Sequence, residues 1–271
     1  MSHFGVLVLQ DGTKSIDELL DPFDENIAVE PYISKTKNEI VEEARDRLAR
    51  FEKTYYADYL ADPEAYEKSC SNESHIDYLK NGFPKQLAMS DEELFKEETK
   101  YCDPFDGESG IDEDGNRWST YNPRSKWDWY VVGGRCSGCL KTKDGKSVNS
   151  AQVGELDFSP RDEDRAAAID FWERVVEGKE DGGEKLLTLY SPEFYIERYG
   201  TKENYAACKS AFTAWAVVTP DGEWHEKGEM GWFALSNETH EEAVNWELRF
   251  KERFIDAADP GWRVTIVDCH I

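Results

Sequence analysis

Two strongly apolar stretches, "HFGVLVLQ" near the start and "WRVTIVDCHI" at the end, set the tightest limit on what this chain can fold into. In the first, Phe4, Val6 and Val8 alternate with His3, Gly5, Leu7 and Leu9, and Asp11-Gly12 ends the run with a turn pair. Both faces are largely apolar, which predicts a central strand covered on each side. The second stretch predicts a strand packed inside a sheet, because a terminal segment left unpaired frays. The two are expected to lie near each other in one sheet.

What stands between them supplies helices and hairpins. Thr36 and Glu39 form a capping-box pair, and Ile40, Ala44, Leu48 and Phe51 then line one helical face. Residues 53–109 are polar and tyrosine-rich, and read as an insertion of short helices and loops. Turn pairs at Asp114-Gly115, Asn122-Pro123, Gly133-Gly134 and Asp144-Gly145 suggest a β-meander. Ser159-Pro160 and Ser191-Pro192 each read as a helix start, with stops at Gly178 and Gly200. Ile169, Trp172 and Val176 would be the apolar face of the first of these helices. Asp221-Gly222 centres a hairpin, with a further strand through Trp232. A helix capped by Thr239 and Glu242 then buries Ala243, Trp246, Phe250 and Phe254. The predicted class is α+β: a mostly antiparallel sheet holding both terminal strands, with helices packed on it. The core domain would comprise residues 1–52 and 110–271, and the insertion 53–109.

Charge narrows the partners. Against 32 Lys plus Arg stand 57 Asp plus Glu, a formal net charge of −25 in 271 residues. Such a surface repels nucleic acid, whose binding rests on basic groups at phosphates, and it steers basic proteins toward the chain. Two readings stay open. The acids either imitate DNA and fill a basic groove, or they only keep the chain soluble while apolar groups make contact. For the second, Tyr55, Tyr56, Tyr59 and Tyr66 are the candidate partner-binding residues. No run approaches the ~18 apolar residues of a membrane span, no basic-then-apolar leader opens the sequence, and the six cysteines are irregularly spaced. A cytoplasmic setting with reduced thiols and no membrane is therefore expected.

Candidate chemistry is sparse. Cys136 and Cys139 form one CxxC, but a structural zinc commonly uses two such pairs, and incidental cysteines are the better reading. Gly133-Gly134-Arg135 beside Tyr130 could cradle a phosphate and stack a base, although the spacing of phosphate-loop motifs is missing. Glycines in a strand context more often mark a bulge or a close backbone approach. Trp127, Trp129 and Val131 alternate as one packed strand face would. His3 and His270, with Cys269, His225 and nearby acids, would make a metal or general-base site if brought together, but alternation sends Cys269 and His270 to opposite faces. No catalytic residue, metal or cofactor is expected, and the chain reads as a non-enzyme.

Three segments carry a family resemblance: "MSHFGVLVL", "STYNPRSKWDWYVVGGR" and "TPDGEWHEKGEMGWF … VDCHI". Together they resemble a family of uncharacterised proteins of tailed bacteriophages and prophages. The resemblance covers both ends and the centre but not Thr13 to Asp112, and Cys136 stands where tryptophan is expected. In general shape, and in a cysteine near the C-terminus, the chain also resembles inhibitors of the Gabija nuclease system, which assemble around their target. These resemblances imply a counter-defence protein in the host cytoplasm, oligomeric in the manner of such inhibitors, that binds and inhibits a host defence complex by protein–protein contact. The alternative, resting on the Gly133-Gly134-Arg135 turn beside aromatic residues, is a nucleotide or small-molecule binder, or an enzyme that sequesters or cleaves a defence signal.

Overall fold

The computed structural model describes residues 2–179, 186, 188–230 and 236–271. Its strands are β1 (His3–Gln10), β2 (Tyr32–Lys35), β3 (Gly110–Ile111), β4 (Arg117–Ser119), β5 (Trp129–Val132) and β6 (Leu140–Lys141). They continue with β7 (Ser147–Val148), β8 (Ser150–Gln152), β9 (Ala216–Val218), β10 (Trp224–Glu226) and β11 (Arg263–His270). The chain divides into two units, one of residues 1–27 and 122–271, the other Ala28–Tyr121.

The larger unit is built on a sheet of order β10-β9-β1-β11-β5, with β8 also paired to β11. Both terminal strands are inside it and adjacent. β1 and β11 run antiparallel over their full lengths, from His3 opposite His270 to Gln10 opposite Arg263. β1 pairs in parallel with β9, whereas the other pairings of this sheet are antiparallel, so α+β with a mostly antiparallel sheet describes it. The alternation in β1 does what its composition requires. Leu7 and Leu9 join one core with Trp246, Phe250 and Phe254 of the helix His240–Phe250 and its continuation. Phe4, Val6 and Val8 join the opposite core with Leu19, Leu20, Phe23 and Trp127. Burying each such side chain contributes roughly 1.5–3 kcal/mol. The Thr239–Glu242 capping box forms, and the Asp221-Gly222 hairpin joins β9 to β10. The strand expected through Trp232 falls outside the described residues.

Two local expectations are corrected. The turn-rich region is no meander. β3 and β4 pair with each other and β6 with β7, whereas β5 and β8 lie end to end along the far edge of β11. Turn pairs report where a chain reverses, not which strand it returns to. The helix expected at Ser159-Pro160 begins at Asp162, with Arg161 at its N-cap and three acids in its first turn. Ser159 instead donates its backbone N–H to Asp157, closing a local turn. Ser191-Pro192, by contrast, does open a helix, Pro192–Tyr199, which Gly200 ends.

The smaller unit is wider than the insertion read from composition. Its sheet β2-β4-β3 and the helix Lys37–Phe51 belong to it. Ala44 and Leu48 of that helix pack with Phe83 and Leu94, and Arg45 pairs with Asp91 at 2.7 Å. The apolar stripe that Thr36 and Glu39 introduce therefore closes over residues 79–95 of the same unit.

Candidate functional site

The start of the first quoted segment, the stretch Asn122 to Arg135 and the closing VDCHI meet at one end of the β1–β11 ribbon. Directly opposed residues share a sheet face, so His3 and His270 stand side by side, with Trp129 opposite His270 and Asp268 opposite Gly5 and Val131. The central segment is laid down residue by residue. Asn122, buried, donates its side-chain amide to the carbonyls of Pro22 and Asp24 at 3.0 and 2.9 Å. Lys126 pairs with Glu226 at 2.7 Å, and Trp127 sinks into the core beneath. Asp128 then accepts a bond from His270 Nδ1 at 2.6 Å.

Past Val132 the chain turns back over the sheet through Gly133 and Gly134, both with positive φ (77° and 50°). A Cβ on Gly133 would collide with Asn149, and one on Gly134 with Asp268. This is the close backbone approach that a glycine pair allows. The turn puts the Arg135 N–H 2.8 Å from Asp268 Oδ2, while Asp268 Oδ1 meets His3 Nδ1 at 3.1 Å. The result is two imidazole–carboxylate pairs, His3–Asp268 and His270–Asp128, with ring centroids 5.0 Å apart. Trp129 stacks on His270 at 5.1 Å and meets His3 edge-on at 5.2 Å.

Each carboxylate fixes its imidazole with Nδ1 engaged, which leaves Nε2 as the working nitrogen. His270 Nε2 is buried and has no hydrogen-bond partner. A cleft of about 340 Å³ on the same sheet face is lined by Gly5, Cys136, Cys139, Arg161, Phe212 and Ile266 among others, and includes neither histidine. The His270 side chain is buried and that of His3 is half-buried. They clamp β1, β11 and β5 together and hold Trp129 in one place. Among the described residues no group of three or more His, Cys, Asp or Glu is arranged to hold a metal ion.

The expected site residues are dispersed. Gly133, Gly134 and Arg135 sit over Asp268, whereas Tyr130 points through the opposite face, packs edge-on against Trp127 and donates to Asp17. The Arg135 N–H of this loop is taken by an internal carboxylate, that of Asp268. Trp127 and Trp129 do not share a face: Trp127 bridges to Asp24 and is buried, and the chain turns at Asp128 before β5 begins, leaving Trp129 45% exposed. Cys136 lies over Gly5, and burial pushes its thiol up to about 11. Cys269, on the face opposite His270, is pushed up further by deeper burial. His225 lies on β10, away from the two terminal histidines. Of the four partner tyrosines only Tyr55 is exposed. Tyr59 is buried, Tyr56 packs on Phe83, and Tyr66 bonds His75 Nε2 at 3.2 Å.

What the residue pattern hid is Asp128 and Asp268. Among 57 acids neither draws notice. Yet an aspartate inside "VTIVDCHI" and one between two tryptophans are misplaced for solvent, and that is the signal that could have found them. Comparison with protein-family models, curated proteins and solved structures finds no match to this chain.

Proposed function

We propose that this chain is a protein-binding factor that docks a basic partner against β5, and that the partner belongs to a host defence complex which the chain inhibits on behalf of a bacteriophage. One observation carries the reading. β5 is the outermost strand of its sheet, its outer edge pairs with no strand among the described residues, and it exposes Trp129 (45%), Val131 (45%) and Val132 (43%). An open edge with apolar side chains invites another chain to add a strand, and native proteins otherwise blunt such edges. A tryptophan stacked on a clamped imidazole is pre-organised as an interface anchor. The charge of −25 selects a basic partner and speeds its approach.

The test is expression in bacteria that each carry one defence system, Gabija among them, followed by phage challenge. Phage growth should be restored against one system, and Trp129→Ala with Val131→Asp should abolish the rescue while the protein stays folded. No rescue against any system would overturn the reading. A concentration-dependent dimer that Val131→Asp dissolves, with rescue intact, would instead assign the edge to a second copy of this chain.

A further inference from the structure

The opposite end of the same strands holds a cavity that the docking edge does not use. β1 and β9 are parallel, and beyond their carboxyl ends, at Asp11 and at Thr219–Asp221, the sheet opens into a cavity of about 490 Å³. Its size suits a small molecule. The walls are apolar, formed by buried Leu9 and Phe254 and by half-buried Trp262, and Ala257 and Ala258 leave room between them.

The polar groups are few, and their states follow from their neighbours. Asp11 Oδ1 accepts from the Thr13 N–H at 2.8 Å and its hydroxyl at 2.6 Å; Asp221 Oδ1 accepts from the Thr219 hydroxyl at 2.6 Å. These bonds hold both acids below the usual carboxylate range, so both are ionised. Arg253, laid over Phe254 at 4.9 Å, faces His225 Nδ1 at 3.3 Å. A guanidinium only donates, so Nδ1 is the acceptor and the imidazole proton sits on Nε2. Burial, and then Arg253, lowers the His225 pKa, in keeping with a neutral ring. One cavity thus brings together two anionic acceptors, a guanidinium, a neutral N–H donor and an apolar wall. Lys14, at the Asp221 carbonyl, offsets part of the negative charge near the mouth. A simple cation would leave Arg253 unmatched, and a simple anion would face both carboxylates.

The geometry points to a binding site for a free α-amino acid with a large apolar side chain. Its ammonium would lie toward Asp11 and Asp221, its carboxylate toward Arg253 and His225, and its side chain against Trp262 and Phe254. Calorimetric titration of the full chain with L-phenylalanine and L-tryptophan tests this, with phenethylamine and 3-phenylpropanoate as analogues lacking one charge each. The amino acids should saturate and bind at least ~10-fold tighter than either analogue, because a charge-assisted contact removed on either side is worth about that factor. Asp221→Asn, which keeps a carbonyl for Thr219 to bond, should weaken binding by a similar factor. Trp262→Leu should weaken the aromatic amino acids while a cooperative melt confirms the fold. No saturation at millimolar amino acid, equal binding of an analogue, or unchanged affinity in Asp221→Asn would each overturn the assignment.

Discussion

The two ends of the β1–β11 ribbon are made of the same two strands and are finished in opposite ways. At the His3–His270 end, polar side chains satisfy one another: each imidazole has its carboxylate, Asp268 also takes the Arg135 N–H, and an indole closes the stack. At the Gln10–Arg263 end, Asp11 and Asp221 are held by local threonine bonds, and a cavity stays open beside His225 and Arg253. Charge that is paired across strands braces the sheet. Charge that is held by its own turn leaves the neighbouring donors available to something else.

The comparison is broken most drastically by removing the braced end. Deleting Val267–Ile271 takes Val267, Cys269 and His270 out of buried positions and strips partners from β1 and β5. At roughly 1.5–3 kcal/mol per buried side chain, before lost backbone bonds, the loss approaches the ~5–15 kcal/mol that holds a typical domain. The product should be insoluble, and a soluble chain with a cooperative melt would refute the role given to β11. Next in size is Asp268→Ala, which orphans His3 Nδ1 and the Arg135 N–H at about 1–3 kcal/mol each. Thermal melting should show a fall of several degrees. Asp221→Ala at the open end, whose bonds are local and exposed, should stay within about 1 kcal/mol of wild type.

Trp129→Ala sharpens the contrast within the braced end. Its ring is half in solvent, so the stability cost should be about the ~0.5–1.5 kcal/mol of an aromatic pair, while partner binding falls by tenfold or more. Melting and binding measured on one preparation separate the two. The smallest effect expected is on pH dependence. His225 titrates lower folded than unfolded, so the unfolded chain binds that proton first as pH drops. Its contribution is fully present above the unfolded value near 6.5 and shrinks as pH falls from there toward the folded value. Wild type and His225→Gln should therefore have melting temperatures whose difference is constant above about pH 7 and changes only below it.

Much of the fold could be read from residues because its signals are local. Alternation in β1, capping boxes at Thr36 and Thr239, and the Asp221-Gly222 turn each act within a few positions. What escaped depends on distant partners. Nothing near Trp127 says that Asp24 will bridge to it and swing Trp129 to the other face. Nothing near Tyr59 says that residues 66–83 will fold over the tyrosines and turn an apparent contact surface into a core. The histidine cluster was half visible, since the strand ends were expected together, but its carboxylates were lost among so many acids.

The neighbouring of β1 and β11, sealed by mutual backbone bonds between Ser2 and Ile271, has a consequence for how the molecule is made. β1 is apolar on both sides, and β11, which covers one of its edges, is encoded about 250 residues later. At ~5–20 residues per second, β1 waits roughly 10–50 s before the sheet can close. Until then its unpaired edge stays open to other strands, the condition under which partly made sheets aggregate.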